Sequence, residues 1–109
     1  MTQTTVPWED KRTAETRLVE DTLRPMFEHV DAYRYNSASI RVRVIDPQFE
    51  GLSVESRDAL VEPHLKRLPE RTQADIITLF TFAPSELASP ASRESFLNLE
   101  FEQPSRSMF

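Results

Sequence analysis

Apolar residues at Val19, Leu23, Met26 and Val30, spaced four, three and four apart, predict a core-facing amphipathic helix that begins at Glu9, with Leu18 and Phe27 widening its stripe. Pro25 falls inside this pattern; it lacks an N–H and crowds the turn before it, so the helix ends or kinks near Arg24. The period then changes from four to two. Tyr33 and Tyr35 alternate with Arg34, and after the polar break Asn36-Ser37-Ala38-Ser39 the apolar residues Ile40, Val42 and Val44 alternate with Arg41 and Arg43. Two strands joined by a tight turn are expected. Asp46-Pro47 stops the second strand, and Ser53 is placed to cap a helix carrying Val54, Leu60, Val61, Leu65 and Leu68, which Pro63 is expected to break in two and Pro69 to close. After a polar loop at residues 70–73, the run Ala74 to Ala83 is the strongest strand signal in the chain, and Pro84 suits the first turn of a last short helix.

The order α-β-β-α(α)-β-α predicts an α+β fold in which a three-stranded mixed sheet carries its helices on one face. Residues 10–87 form the domain in this reading. Residues 1–9 form a flexible arm whose Trp8 can anchor it, and residues 88–109 form a tail. In the tail Leu97, Leu99 and Phe101 alternate with Asn98, Glu100 and Glu102. Two readings stay open there: an end that frays, or an extended strand added to this domain or to a partner.

Composition narrows the chemistry. A chain of 109 residues with 39% hydrophobic content supports one modest core. With no cysteine, disulfides, thiolate nucleophiles and sulfur ligation of metals are excluded. Gly51 is the only glycine, so neither glycine-rich phosphate loop can be written. The net charge of −5 argues against a general polyanion binder, whose affinity rests on phosphate neutralisation. No apolar run approaches a membrane span, which makes a cytoplasmic protein without membrane contact the expectation.

The strand Ile40 to Asp46, the turn Phe49-Glu50-Gly51, the helix opening Ser53 to Val61 with Arg57, and the strand with its stop, Asp75 to Leu87, stand in an order and spacing that resemble the BolA-like family, small proteins with a fold akin to the class II KH module. The resemblance covers about Val30 to Leu87. Members of that family usually carry a histidine after the helix arginine and another at the head of the last strand; here these positions hold Asp58 and Asp75. Many also place a histidine or cysteine between the first two strands, where Ser39 is the nearest counterpart, and share a 2Fe–2S cluster with a monothiol glutaredoxin. Serine and aspartate are hard oxygen donors, poorly suited to that cluster. The resemblance therefore implies a non-enzymatic regulatory or adaptor protein acting through protein contacts, with a monothiol glutaredoxin as one candidate partner, but with no cofactor and no shared cluster.

Two rival functions remain: a nucleic-acid-binding transcriptional regulator, which the resemblance also implies, and a carboxylate-based metal-binding protein. If Ile40, Val42 and Val44 face the helices, Arg41 and Arg43 project from the open sheet face and Arg34 can join them, giving a basic surface for weak, salt-sensitive nucleic-acid contact or for an acidic protein. A KH-style clamp is excluded because its GxxG loop needs two glycines. Alternatively Asp58 and Asp75 approach each other and bind a hard cation or act as an acid and base pair. The expected contact residues are thus Arg34, Arg41, Arg43, Ser39, Arg57, Asp58 and Asp75, with Leu97, Leu99 and Phe101 as a partner strand. His29 and His64, the only histidines, are expected to be ordinary surface or partly packed imidazoles.

Overall fold

The structure, a computed structural model, describes residues 10–87, so the arm and the tail strand Leu97, Leu99 and Phe101 lie outside the described residues. Helix α1 spans Ala14–Leu23, strand β1 His29–Asn36 and β2 Ser39–Ile45. A 3-10 turn at Pro47–Phe49 leads to α2 at Val54–Leu65, followed by α3 at Glu70–Asp75, β3 at Ile76–Phe82 and a second 3-10 turn at Pro84–Leu87. β1 pairs antiparallel with β2, and β2 pairs parallel with β3, so the sheet order is β1-β2-β3. This is the α+β arrangement with a three-stranded mixed sheet that the periodicities predict.

Helix α1 starts later than Glu9 because Thr13 caps it: the Thr13 hydroxyl accepts from the Thr16 N–H while the Thr16 hydroxyl accepts from the Thr13 N–H. It stops at Leu23, as Pro25 requires. Val19 and Leu23 are buried, but Leu18 and Met26 are largely exposed and Val30 belongs to β1. The inward stripe is Thr16, Val19, Glu20 and Leu23, so a carboxylate occupies a place the apolar pattern left blank.

The hairpin turns on Ser37 and Ala38 without glycine and without positive φ, hence without the primed geometry that two-residue hairpins favour. The Asn36 side chain compensates by accepting from the Ala38 N–H and the Ser39 hydroxyl, and Arg34 donates to the carbonyls of Asn36 and Ser37. The register shifts between Arg34 and Asn36 to absorb this turn.

Two expectations about the middle of the chain are corrected. Helix α2 runs through Pro63 and ends two residues later, because a proline that close to the end leaves only the Ala59 carbonyl without its helical donor. The break falls instead between Lys66 and Pro69, and the segment expected to be a polar loop winds into α3. Gln73 from this helix donates to the carbonyls of Lys66 and Leu68 and so closes the end of α2.

Val19, Leu23, Phe27, Val30, Ala32, Ile40, Val42, Val44, Phe49, Val61, Leu68 and Ala83 form one core between the helices and the sheet. A second, smaller cluster of Tyr33 and Phe80, with Phe82 against it, lies on the other sheet face. No helix among the described residues is long and apolar enough to cross a membrane.

Candidate functional site

Strand register brings three of the expected residues to the hairpin end of the sheet. Arg34 pairs with Ile40, and Ile40 with Ile76, so Ser39, the first residue of β2, and Asp75, the last of α3, each stand one residue before a paired position. Both are already engaged. The Ser39 hydroxyl is buried and donates to Asn36, while Asp75 accepts from Arg34 at 3.0 Å. Arg34 also binds Glu15 of α1 at 2.7 Å. Burial works against the Arg34 charge, but the hydrogen bonds to Glu15 and Asp75 outweigh it and raise its pKa above the usual range. Arg34 therefore does not join the other arginines; it ties α1, β1 and the head of β3 together.

The other end of β3 belongs to Arg57. Its Nε donates to the Leu52 carbonyl at 3.0 Å, one terminal nitrogen to the Thr81 carbonyl at 3.0 Å and to Glu86 at 2.9 Å, and the other to Glu86 at 2.7 Å. Glu86 in turn accepts from the Ala83 N–H. The hydrogen bond to Glu86 raises the Arg57 pKa, and the same bond pulls the Glu86 carboxyl down. The arginine expected at a contact surface is buried, with all three guanidinium nitrogens donating.

Asp58 follows Arg57 on α2. Its Oδ1 is buried without a hydrogen-bond partner, and burial followed by the neighbouring charge of Glu62 pushes its pKa up. Since Arg57 touches Thr81 while Leu65 lies with Ile76, α2 runs antiparallel to β3. Asp58 thus sits toward the Thr81 end and Asp75 at the Ile76 end, roughly 20 Å of strand apart. The expected approach of the two aspartates is not found, and no group of three or more histidine, aspartate or glutamate side chains suited to a metal occurs among the described residues.

Arg41 and Arg43 do point to the face away from the helices, but the solvent-facing basic surface expected there is not formed. Arg41 is 7% and Arg43 3% exposed. Arg43 donates through Nε and a terminal nitrogen to Asp31, and Arg41 donates to the Tyr33 hydroxyl and stacks on the Tyr35 ring at 3.7 Å. Asp31 also accepts from His29 at 2.8 Å and from Arg12 at 3.2 Å. Burial alone raises the Asp31 pKa, yet the His29 hydrogen bond and the charge and hydrogen bond of Arg43 prevail, bringing it from 3.8 to about 2. The residue that decides this face, Asp31, has no period or motif to mark it. His64 meets the Phe27 ring edge-on at 5.7 Å.

A feature missed in the sequence lies where α2, α3 and β3 meet. Glu62, Leu65, Lys66, Gln73 and Ile76 line an open cavity of about 160 Å3. Beside it the register passes from Ile40/Ile76 directly to Arg41/Thr78, so Ile77 is the extra residue of a bulge. A bulged residue leaves the regular alternation, and Ile77 is 68% exposed, the most exposed large apolar side chain among the described residues. The strand pattern alone gives no sign that it differs from its neighbours in the run Ile76 to Phe82.

Comparison with family models, with curated proteins and with solved structures finds no match to this chain.

Proposed function

We propose that the chain is a BolA-like adaptor without enzymatic activity, which holds a protein partner at the corner between α2, α3 and β3 and shares no iron–sulfur cluster with it. The observation that carries this reading is the open cavity that Leu65 and Ile76 line together with Glu62, Lys66 and Gln73, one residue along the chain from the exposed Ile77. Apolar and polar side chains sharing one recess have the make-up of a small docking surface: apolar groups that lose water and polar groups that orient the partner. The neighbouring starts of β2 and β3, which set Ser39 beside Asp75, fit the BolA-like resemblance. Their side chains, spent on Asn36 and Arg34, support an adaptor that does not offer them to iron. A nucleic-acid reading draws nothing from Arg41 and Arg43, which are buried rather than presented.

A photo-crosslinking side chain placed at Ile77 should join the protein to a partner in cells, whereas the same group at Arg17, exposed on α1, should not. Equal yields at both positions, or none at Ile77, would overturn the reading. Reconstitution with a monothiol glutaredoxin should give no absorption spectrum of a shared cluster.

A further inference from the structure

In the sheet order β1-β2-β3, β3 has no neighbour on its outer side among the described residues. Phe82 turns its carbonyl toward β2, where it accepts from the Asp46 N–H, so Thr81 and, two residues earlier, Leu79 turn their backbone groups outward. Arg57 already takes the Thr81 carbonyl. The unspent stretch of edge therefore runs from Leu79 back to the bulge at Ile77, toward the end of α2 that lines the cavity. Four-residue spacing sets Asp58, Glu62 and Lys66 in one row on α2. Glu62 and Lys66 line the cavity with Ile76, whereas His64 meets Phe27, so the row lies toward β3 and away from the end of α1. Its two carboxylates form no ion pair among the described residues. One Asp58 oxygen has no hydrogen-bond partner, and burial and Glu62 both oppose the Asp58 charge.

We propose that β3 takes up an extended segment of a partner protein along its outer edge, with an apolar side chain in the recess of Leu65 and Ile76 and a lysine or arginine two positions away facing Asp58 and Glu62. The inference rests on the adaptor reading and specifies the chemistry of its partner. A strand that pairs with Leu79 draws affinity from main-chain groups and selectivity from alternate side chains. The spacing decides which side chains. Leu65 follows the midpoint of Asp58 and Glu62 by five helical residues, about 7 Å, which matches two residues of extended chain at about 3.3 Å each. Residues two apart on a strand share a face, so one segment fills the recess and meets the carboxylates at once. Lys66, at the other end of the row, repels a cation placed on the wrong side of the apolar residue.

A phage-displayed library of random ten-residue peptides, selected on the full-length protein, should yield sequences that pair a leucine, isoleucine, valine or phenylalanine with a lysine or arginine two positions away. A labelled peptide from that selection should bind Glu62→Lys several-fold more weakly, and selection on Glu62→Lys should no longer enrich the cation. Ile77→Asp, a change at an exposed edge position, should abolish binding. Both variants should keep native far-ultraviolet circular dichroism. Sequences that depend on Ile77 but enrich no cation, or enrich it equally on Glu62→Lys, would overturn the charge match and leave the adaptor reading standing. An empty selection would overturn this inference, and sequences indifferent to Ile77→Asp would overturn it together with the docking corner. Peptides bound only after removal of residues 88–109 would assign the edge to the chain's own end and overturn the proposal. So would a dimer, seen by sedimentation, that Ile77→Asp dissociates, since the occupant is then a second copy.

Discussion

Asp31 neutralises Arg43 in a place where neither charge could stand alone. Its carboxyl lies at about 2 in the folded protein against an ordinary 3.8, so the folded state holds the carboxylate more strongly than the unfolded chain does. The resulting stabilisation is complete above the ordinary value and drains away as pH falls toward 2; the shift corresponds to about 2 kcal/mol. Urea unfolding from neutral pH down to the acid range should therefore show a loss of that order in the native protein. Asp31→Asn should be less stable at neutral pH and show a clearly shallower acid loss, because the titrating group is gone. Identical acid profiles in the two proteins would show that the carboxyl is not held by His29 and Arg43. Asp58 on α2 is the opposite case: burial and Glu62 act against its charge, and one of its oxygens has no donor. A carboxylate in that position neither holds the helix to the sheet nor meets Asp75.

At the level of elements, the length of α2 was decided against local propensity. Pro63 removes the donor for the Ala59 carbonyl, but the helix continues because Val61 and Leu68 are drawn into the core and Gln73 caps the carbonyls that follow. Proline in a helix interior costs up to about 3 kcal/mol, and its nearness to the C-terminus reduces that here. Pro63→Ala should accordingly raise stability by about 1–3 kcal/mol, read as a higher urea midpoint with an unchanged slope. A fall in midpoint would mean that proline's restriction of the unfolded chain matters more at this position than the missing hydrogen bond. The bulge at Ile77 shows the same principle in a strand: a one-residue register shift turns an apolar side chain from the layer toward water.

Across the whole molecule, the two outer strands are treated differently. β1 is closed by Glu20, whose carboxylate accepts from the Ala32 N–H at 2.9 Å while binding Arg12 and Arg24. A buried carboxylate on an edge amide blocks pairing with another chain. Glu20→Leu should cost about 2–4 kcal/mol, since it leaves the Ala32 N–H without its acceptor and takes a carboxylate from Arg12 and Arg24. It should also make the protein associate as concentration rises, measured by sedimentation. A monomeric variant of native stability would show that Glu20 does not guard this edge. On β3, Arg57 takes the Thr81 carbonyl at the far end, and the near end carries the bulge that presents Ile77.

The alternation of Ile40, Val42 and Val44, the Ser53 cap, the stop at Pro25 and the long apolar strand were legible in the chain, because each follows from local sterics or from a period that neighbouring residues share. They were enough to predict an α+β domain with a three-stranded mixed sheet. The same alternation put Arg41 and Arg43 on the correct face. What it could not reach was whether that face is wet: this depends on Asp31, twelve residues before Arg43, and on Arg12, which also reaches Asp31. Arg57 shows the limit most plainly, since its partners Leu52, Thr81 and Glu86 are scattered along the sequence and meet only when α2 lies on β3. Periodicity is a property of neighbours along the chain, whereas burial, ion pairing and the bulge at Ile77 are set by residues that folding alone brings together.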